Sequence, residues 1–113
     1  MSAPFEDLSR LDRLIHGPAR LAITTALSAC GSADFTFLQR VTGLTRGNLG
    51  AHLAKLEDAD VVKIDKTFAG KSPRTVVALT PQGRNAIEAH WERLRALGAA
   101  AEQWHHDADG DRG

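Results

Sequence analysis

The sequence lacks the residues and patterns that several protein classes require. It contains a single cysteine, Cys30, among 113 residues, so no disulfide can form within the chain. No apolar run approaches the roughly 18 residues that a membrane-spanning helix needs, and the first ten residues do not resemble a signal peptide. We therefore expect a cytoplasmic protein that does not enter a membrane. Because Cys30 ends an apolar run, it is predicted to be a small core residue.

The chain also lacks the motifs of a reaction centre. It has no glycine-rich phosphate loop, no paired carboxylates and no combination of a nucleophile with a base. Its five histidines do not form a Cys/His ligand set with the one cysteine. We expect no enzymatic activity, no metal and no other cofactor.

The charged residues are balanced in number but uneven in position. The whole chain carries 14 Lys or Arg and 14 Asp or Glu residues. Residues 36–84 hold eight basic and four acidic residues, a net charge of +4, whereas residues 85–113 hold three and six, a net charge of −3. The length suits one domain, and the basic middle favours a partner that carries phosphate.

The middle of the chain is predicted to form two helices joined by a tight turn. The first helix has Leu38 and Val41 as its apolar anchors. Gly43 can take the positive φ that often ends a helix, and Thr45 is a suitable N-cap for the next helix. One face of that second helix carries leucines at the i, i+4, i+7 spacing of a buried stripe: Leu49, Leu53 and Leu56.

The opposite face of this second helix, predicted over residues 45–59, is small and polar. It carries Gly47, Asn48, Ala51, Ala54 and Lys55, with His52 at its edge. One interpretation is an ordinary solvated face. The other is a nucleic-acid surface, because Asn can bond a base edge in two places and Lys suits phosphate. Gly47 and Gly50 favour the second interpretation, since each costs a helix roughly 1 kcal/mol relative to Ala.

A basic hairpin is predicted directly after this helix. Two β-branched runs, residues 61–67 and 74–80, flank a loop at residues 68–73 that is rich in turn residues. Four cations accompany one acid, Asp65: Lys63, Lys66, Lys71 and Arg74. The hairpin is either basic without a partner or a second contact arm, and its position after the candidate contact helix favours the arm.

Further helices are predicted on both sides of this unit. Residues 8–15 and 18–30 have helical apolar spacing, and His16-Gly17 separates them. Thr80 is predicted to cap a last helix that begins at Pro81 and continues to about Trp104. We expect a flexible N-terminus over residues 1–7, one domain over residues 8–104 and a disordered, acidic tail over residues 105–113.

The last helix is long for so small a domain, and its apolar stripe needs a partner. The stripe either packs on its own domain or meets the same helix of a second copy, and the second arrangement is the more economical. We therefore predict a homodimer. Its interface residues are expected to be Leu8, Leu11, Ile87, Trp91, Leu94, Leu97, Ala101 and Trp104.

Four segments carry a resemblance to a known family: LDRLIHGPARLAI, DFTFLQRVTGLTRGNLGAHLAKLEDADVV, KTFAGKSPRT and ALTPQGR. Over about Leu11 to Trp91 the chain resembles the small stand-alone winged-helix transcriptional regulators related to the MarR and ArsR families. The resemblance implies a mainly α fold with a small β-hairpin, a winged helix-turn-helix with an extended C-terminal dimerisation helix. It also implies that helix 45–59 enters the major groove and that the wing, residues 61–80, contacts backbone or minor groove.

The resemblance carries over a set of DNA-contacting positions. They are Arg46, Asn48, Ala51, His52, Lys55, Lys66, Lys71 and Arg74. Gly50 departs from the Ser of many ArsR-type helices, which removes a hydroxyl contact. The ArsR pair of cysteines on the contact helix is absent, which argues against a thiolate metal sensor, and the sequence identifies no effector pocket.

The resulting hypothesis is a homodimeric, sequence-specific DNA-binding transcriptional regulator whose partner is double-stranded DNA. A repressor is favoured because no separate activation domain is evident. The alternative is a winged-helix protein-interaction module that does not read DNA directly, and the zero net charge and acidic C-terminal segment favour that alternative.

Overall fold

The computed structural model describes residues 10–110 of the chain and the side chains of residues 11–103. In chain order the elements are α1 (Arg10–His16), α2 (Pro18–Cys30), β1 (Ser32–Asp34), α3 (Phe35–Thr42), α4 (Arg46–Asp58), β2 (Val62–Ala69), β3 (Ser72–Leu79) and α5 (Pro81–Gly110). The strands form an antiparallel sheet in the order β1-β3-β2. This architecture confirms the predicted mainly α fold with a small hairpin and a long last helix.

The core lies between the helices and the inner end of the sheet. The predicted leucine stripe of α4 is buried, with exposed fractions of 0–2% for Leu49, Leu53 and Leu56. It packs with apolar side chains from α2, α3 and the hairpin: Ile23, Leu27, Leu38, Val61, Val62 and Val77. Full burial of such a side chain contributes roughly 1.5–3 kcal/mol, so this stripe fixes which face of α4 remains outside.

Local capping sets the ends of α3 and α4. Asp34 accepts a hydrogen bond from the Phe37 amide at 2.7 Å, and Thr45 accepts one from the Asn48 amide at 3.1 Å. Gly43 ends α3 in the left-handed conformation, with φ at 72°. The turn chemistry predicted at Gly43 and Thr45 is therefore confirmed.

Two predicted core positions are wrong. Cys30 is exposed because it is the last residue of α2 and lies beyond the buried part of that helix. Val41 is 51% exposed. The inward face of α3 follows the i, i+3, i+4, i+7 spacing and leaves Val41 outside; its members are Phe35, Leu38, Gln39 and Thr42.

The hairpin is tighter than its sequence indicated. Its ladder continues to the pair Ala69–Ser72, which leaves only Gly70 and Lys71 as the turn, in place of the predicted loop over residues 68–73. Gly70 has φ at 64°, and glycine at the first central position suits a two-residue hairpin turn. The strands therefore extend the wing outward as a ladder rather than as a loop.

The last helix, α5, begins at a side-chain cap and extends beyond the domain. Thr80 caps it, because its hydroxyl accepts from the Gly83 amide at 2.8 Å. The helix extends to Gly110, beyond its predicted end near Trp104. The extents of 70 × 24 × 22 Å reflect its projection beyond the domain. None of the helices within residues 10–110 is both long and apolar enough to cross a bilayer.

Gly83 is expected to be indispensable for packing α5 against the chain. A Cβ added at Gly83 would lie 1.9 Å from the carbonyl oxygen of Val61, a backbone atom that also accepts from the Thr80 amide. We expect Gly83→Ala to lower the free energy of unfolding by about 3 kcal/mol, as for an overpacked core. Gly98→Ala, in the same helix with nothing of the described chain within 4 Å, should instead raise it by about 1 kcal/mol. Urea unfolding measures both, and equal stability of the two variants would contradict the packing.

Candidate nucleic-acid interface

The buried leucine stripe of α4 determines which side chains lie on the outer face of this helix. With that stripe buried, Arg46, Asn48, Ala51 and Lys55 are exposed, and His52 is half-buried at the edge. A Cβ added at Gly47 or Gly50 would meet no atom of the described chain within 4 Å. Packing within this part of the chain therefore does not require these two glycines, and they leave the backbone of α4 accessible to an external surface.

A groove separates α4 from the hairpin and brings several predicted residues together. Its volume is about 800 Å³. Arg46 and Gly50 line it from α4, and Lys66 and Arg74 line it from the hairpin. The groove also has two carboxylates, Asp34 and Glu57. It therefore brings one cation of α4 and two of the hairpin to the same groove.

Two of these cations are held by contacts within the chain. The Arg74 guanidinium forms an ion pair with Asp34 at 3.1 Å, and the Arg46 guanidinium lies 5.6 Å from the centroid of the Phe35 ring. The Phe37 amide and then the Arg74 charge hold the pKa of Asp34 below its ordinary value. Asp34 therefore stays ionised at neutral pH, positions Arg74 and offsets part of its charge.

The other two predicted basic contacts, Lys71 and Lys55, do not line this groove. Lys71 is exposed in the turn of the hairpin. Lys55 lines a different crevice of about 460 Å³, between α4 and α1, with Leu11, Arg13 and Leu14. Lys55 thus occupies the edge of the α4 face that is remote from the hairpin.

The predicted dimer residues have mixed environments. Ile87 is 2% exposed within the single chain, so its burial does not require a second copy. Trp91 is 37% exposed, Leu94 and Leu97 are half-buried, and Ala101 is exposed. Leu11 packs against the core. Leu8 and the side chain of Trp104 lie outside the described parts of the chain.

A buried polar cluster joins α1 to α5, and the sequence did not indicate it. His90 donates from Nδ1 to Asp12 at 3.0 Å, and the two side chains are 0% and 1% exposed. Arg93 also donates to Asp12, and His16 Nδ1 lies 3.4 Å from His90 Nε2. The available signal was a histidine at a core position of the α5 stripe, which needs a polar partner when buried.

The helix-turn-helix, the hairpin and the cationic groove between them define a winged helix-turn-helix protein of the nucleic-acid-binding class. The sequence model of the winged helix DNA-binding domain family matches residues 19–97. The chain belongs to this family, which confirms the predicted relation to winged-helix regulators.

Individual relatives extend this result. A transcriptional regulator homologue from Pyrococcus horikoshii OT3 has a solved structure that is 34% identical, with a TM-score of 0.75, over 79% of this chain and 88% of that chain. An uncharacterised protein of Methanocaldococcus jannaschii is 29% identical over 76 residues, which cover 67% of this chain and 83% of the relative. A MarR-family transcriptional regulator from Silicibacter pomeroyi shares the fold at 23% identity, with a TM-score of 0.60, over 82% and 64% of the two chains.

Proposed function

We propose that this protein is a homodimeric, sequence-specific transcriptional repressor that reads the major groove with α4 and contacts the adjacent backbone or minor groove with the hairpin. The observation that carries the proposal is one groove lined by Arg46 of α4 and by Lys66 and Arg74 of the hairpin, beside an α4 outer face whose side chains are small or polar. A phosphate backbone between helix and wing matches that arrangement of charge.

The side chains divide into base-reading and phosphate-binding groups. Asn48 has both a donor and an acceptor for base edges, Arg46 has donors, and His52 lies beside them. Lys66 and Lys71 suit phosphate as mobile point charges. Gly47 and Ala51 allow the α4 backbone to approach the duplex. In the proposed dimer, the second copy contacts three exposed or half-buried residues of α5: Trp91, Leu94 and Leu97.

The central test removes the base-reading amide. Asn48→Ala should cost on the order of 1–3 kcal/mol on a duplex selected from a random pool, because a bidentate base contact is lost. The loss on random-sequence duplex should be small. Asn85→Ala is the matched control, since Asn85 is exposed near the start of α5, outside the groove. Fluorescence anisotropy measures the affinities.

Two results would overturn parts of this proposal. Equal losses of Asn48→Ala on selected and random duplexes would remove Asn48 as a base reader. The selected duplexes themselves report symmetry, because a dimer requires two inverted half-sites about 34–36 Å apart. A single half-site without inverted symmetry would argue against a homodimer on DNA.

A further inference from the structure

Near the end of the hairpin lies an aromatic side chain, Phe68, that is not among the proposed DNA-contacting residues. Phe68 is 69% exposed, although aromatic side chains gain most from removal from water. Its register partner is Pro73, which is also exposed. The two form a small apolar patch on an otherwise polar and basic hairpin.

The strand register places this patch on the face that looks toward the groove. The pairs Val62–Leu79 and Ile64–Val77 belong to the inner end of that face, and Lys66–Thr75 and Phe68–Pro73 continue it outward. Ile64, Lys66, Pro73 and Thr75 of this face line the groove, together with Ala69 and Arg74 of the alternate positions. Phe68 lies four residues beyond Ile64, roughly 13 Å farther along the strand.

The surroundings of Phe68 select a polyanionic partner. Residues 66–74 contain Lys66 and Lys71, together with Arg74, whose charge Asp34 partly offsets, and no acidic residue. An apolar ring between cations complements a DNA groove, where phosphates border the sugars and the base stack. The patch is also held firmly, because the turn has two residues and Pro73 fixes its own φ.

We infer that Phe68 is an apolar wedge that enters the minor groove beside the site read by α4 and partly unstacks one base step there. This inference rests on the proposed function and adds a specificity element to it. A wedge deforms the duplex, so it selects flexible pyrimidine–purine steps such as TA and CA without a hydrogen bond to any base.

The test compares Phe68→Ala, Phe68→Leu and the wild-type full-length chain on one duplex selected from a random pool by the wild type. Phe68→Ala should lower affinity about tenfold, the loss typical of one base–aromatic contact, and Phe68→Leu should restore most of it. The salt dependence should be unchanged, because Phe68 has no charge. Energy transfer between dyes at the duplex ends should report a bend with the wild type and a smaller bend with Phe68→Ala.

Two controls separate the wedge from other effects. Thr67→Ala changes an exposed neighbour on the opposite face of the hairpin and should preserve both affinity and bend. Lys71→Ala should reduce the salt dependence and preserve the preference for flexible steps. A repeat selection with Phe68→Ala should lose that preference at the flanking position.

The outcomes are distinct. If the wild type binds duplex with a salt dependence but Phe68→Ala has the same affinity and bend, the wedge is wrong and the proposed function stands. If sedimentation shows that Phe68→Ala has a lower dimer fraction, and this accounts for its whole loss of affinity, the ring acts between copies and the wedge is also wrong. If the wild type binds no duplex at 50 mM salt, the wedge and the proposed function both fail.

Discussion

The affinity of this protein for duplex DNA is expected to fall roughly 10³-fold between 50 and 200 mM salt, because each bound phosphate releases counterions. We assign about three phosphates to each protomer and hence six to the dimer. Exposed cations of the hairpin and of α4 supply these contacts: Lys55, Lys66 and Lys71. Arg74 is left out because Asp34 already offsets its charge.

Anisotropy titrations over this salt range measure the slope. Lys71→Ala should lower the slope by about two, one unit for each protomer of a dimer. Lys63→Ala is the matched control, because Lys63 is exposed on the same hairpin but on its opposite face, and pairs with Asp65 at 3.8 Å. A flat salt response would reject the phosphate contacts and favour the protein-interaction module that the zero net charge suggests.

The sequence predicted those parts of the fold that depend on residues close together in the chain. The leucine spacing determined the buried face of α4, and therefore which side chains stay outside. Gly43 and Thr45 determined where α3 ends and α4 begins, because a left-handed residue and a hydroxyl cap act on amides a few residues away. The small, polar outer face of α4 follows from the same periodicity.

The sequence could not predict contacts between residues that only the fold brings together. Asp34 and Arg74 are 40 positions apart, and Asp12 and His90 are 78 apart. No local pattern identifies Arg74 as the partner of Asp34, and the helical spacing that places His90 on the α5 stripe does not identify Asp12 as its partner. The exposure of Val41 was missed for a related reason, since a short helix offers too few turns for spacing alone to choose its inward face.

The Asp12–His90 pair is expected to be one of the strongest single determinants of stability. His90→Leu keeps a similar side-chain volume but leaves the buried Asp12 carboxylate with one hydrogen bond fewer. We expect a loss of about 3 kcal/mol in the free energy of unfolding, as for other broken buried pairs. Arg93 keeps the loss at the lower end of that range, because it still donates to Asp12. Urea unfolding monitored by circular dichroism measures the change.

We expect His90→Leu to lower the free energy of unfolding because it leaves the buried Asp12 charge uncompensated, more than because it removes an attraction. A double variant distinguishes these two causes. Asp12→Ala with His90→Leu removes both partners and roughly conserves volume, so it should be more stable than the sum of the single losses predicts by at least about 1 kcal/mol. Glu88→Ala is the control, since Glu88 is exposed on α5 outside the cluster and should change stability by no more than about 0.5 kcal/mol. Strict additivity of the two single losses would mean that the pair does not couple α1 to α5. In that case packing alone would hold the long helix at the angle that sets the spacing of two α4 helices in the proposed dimer.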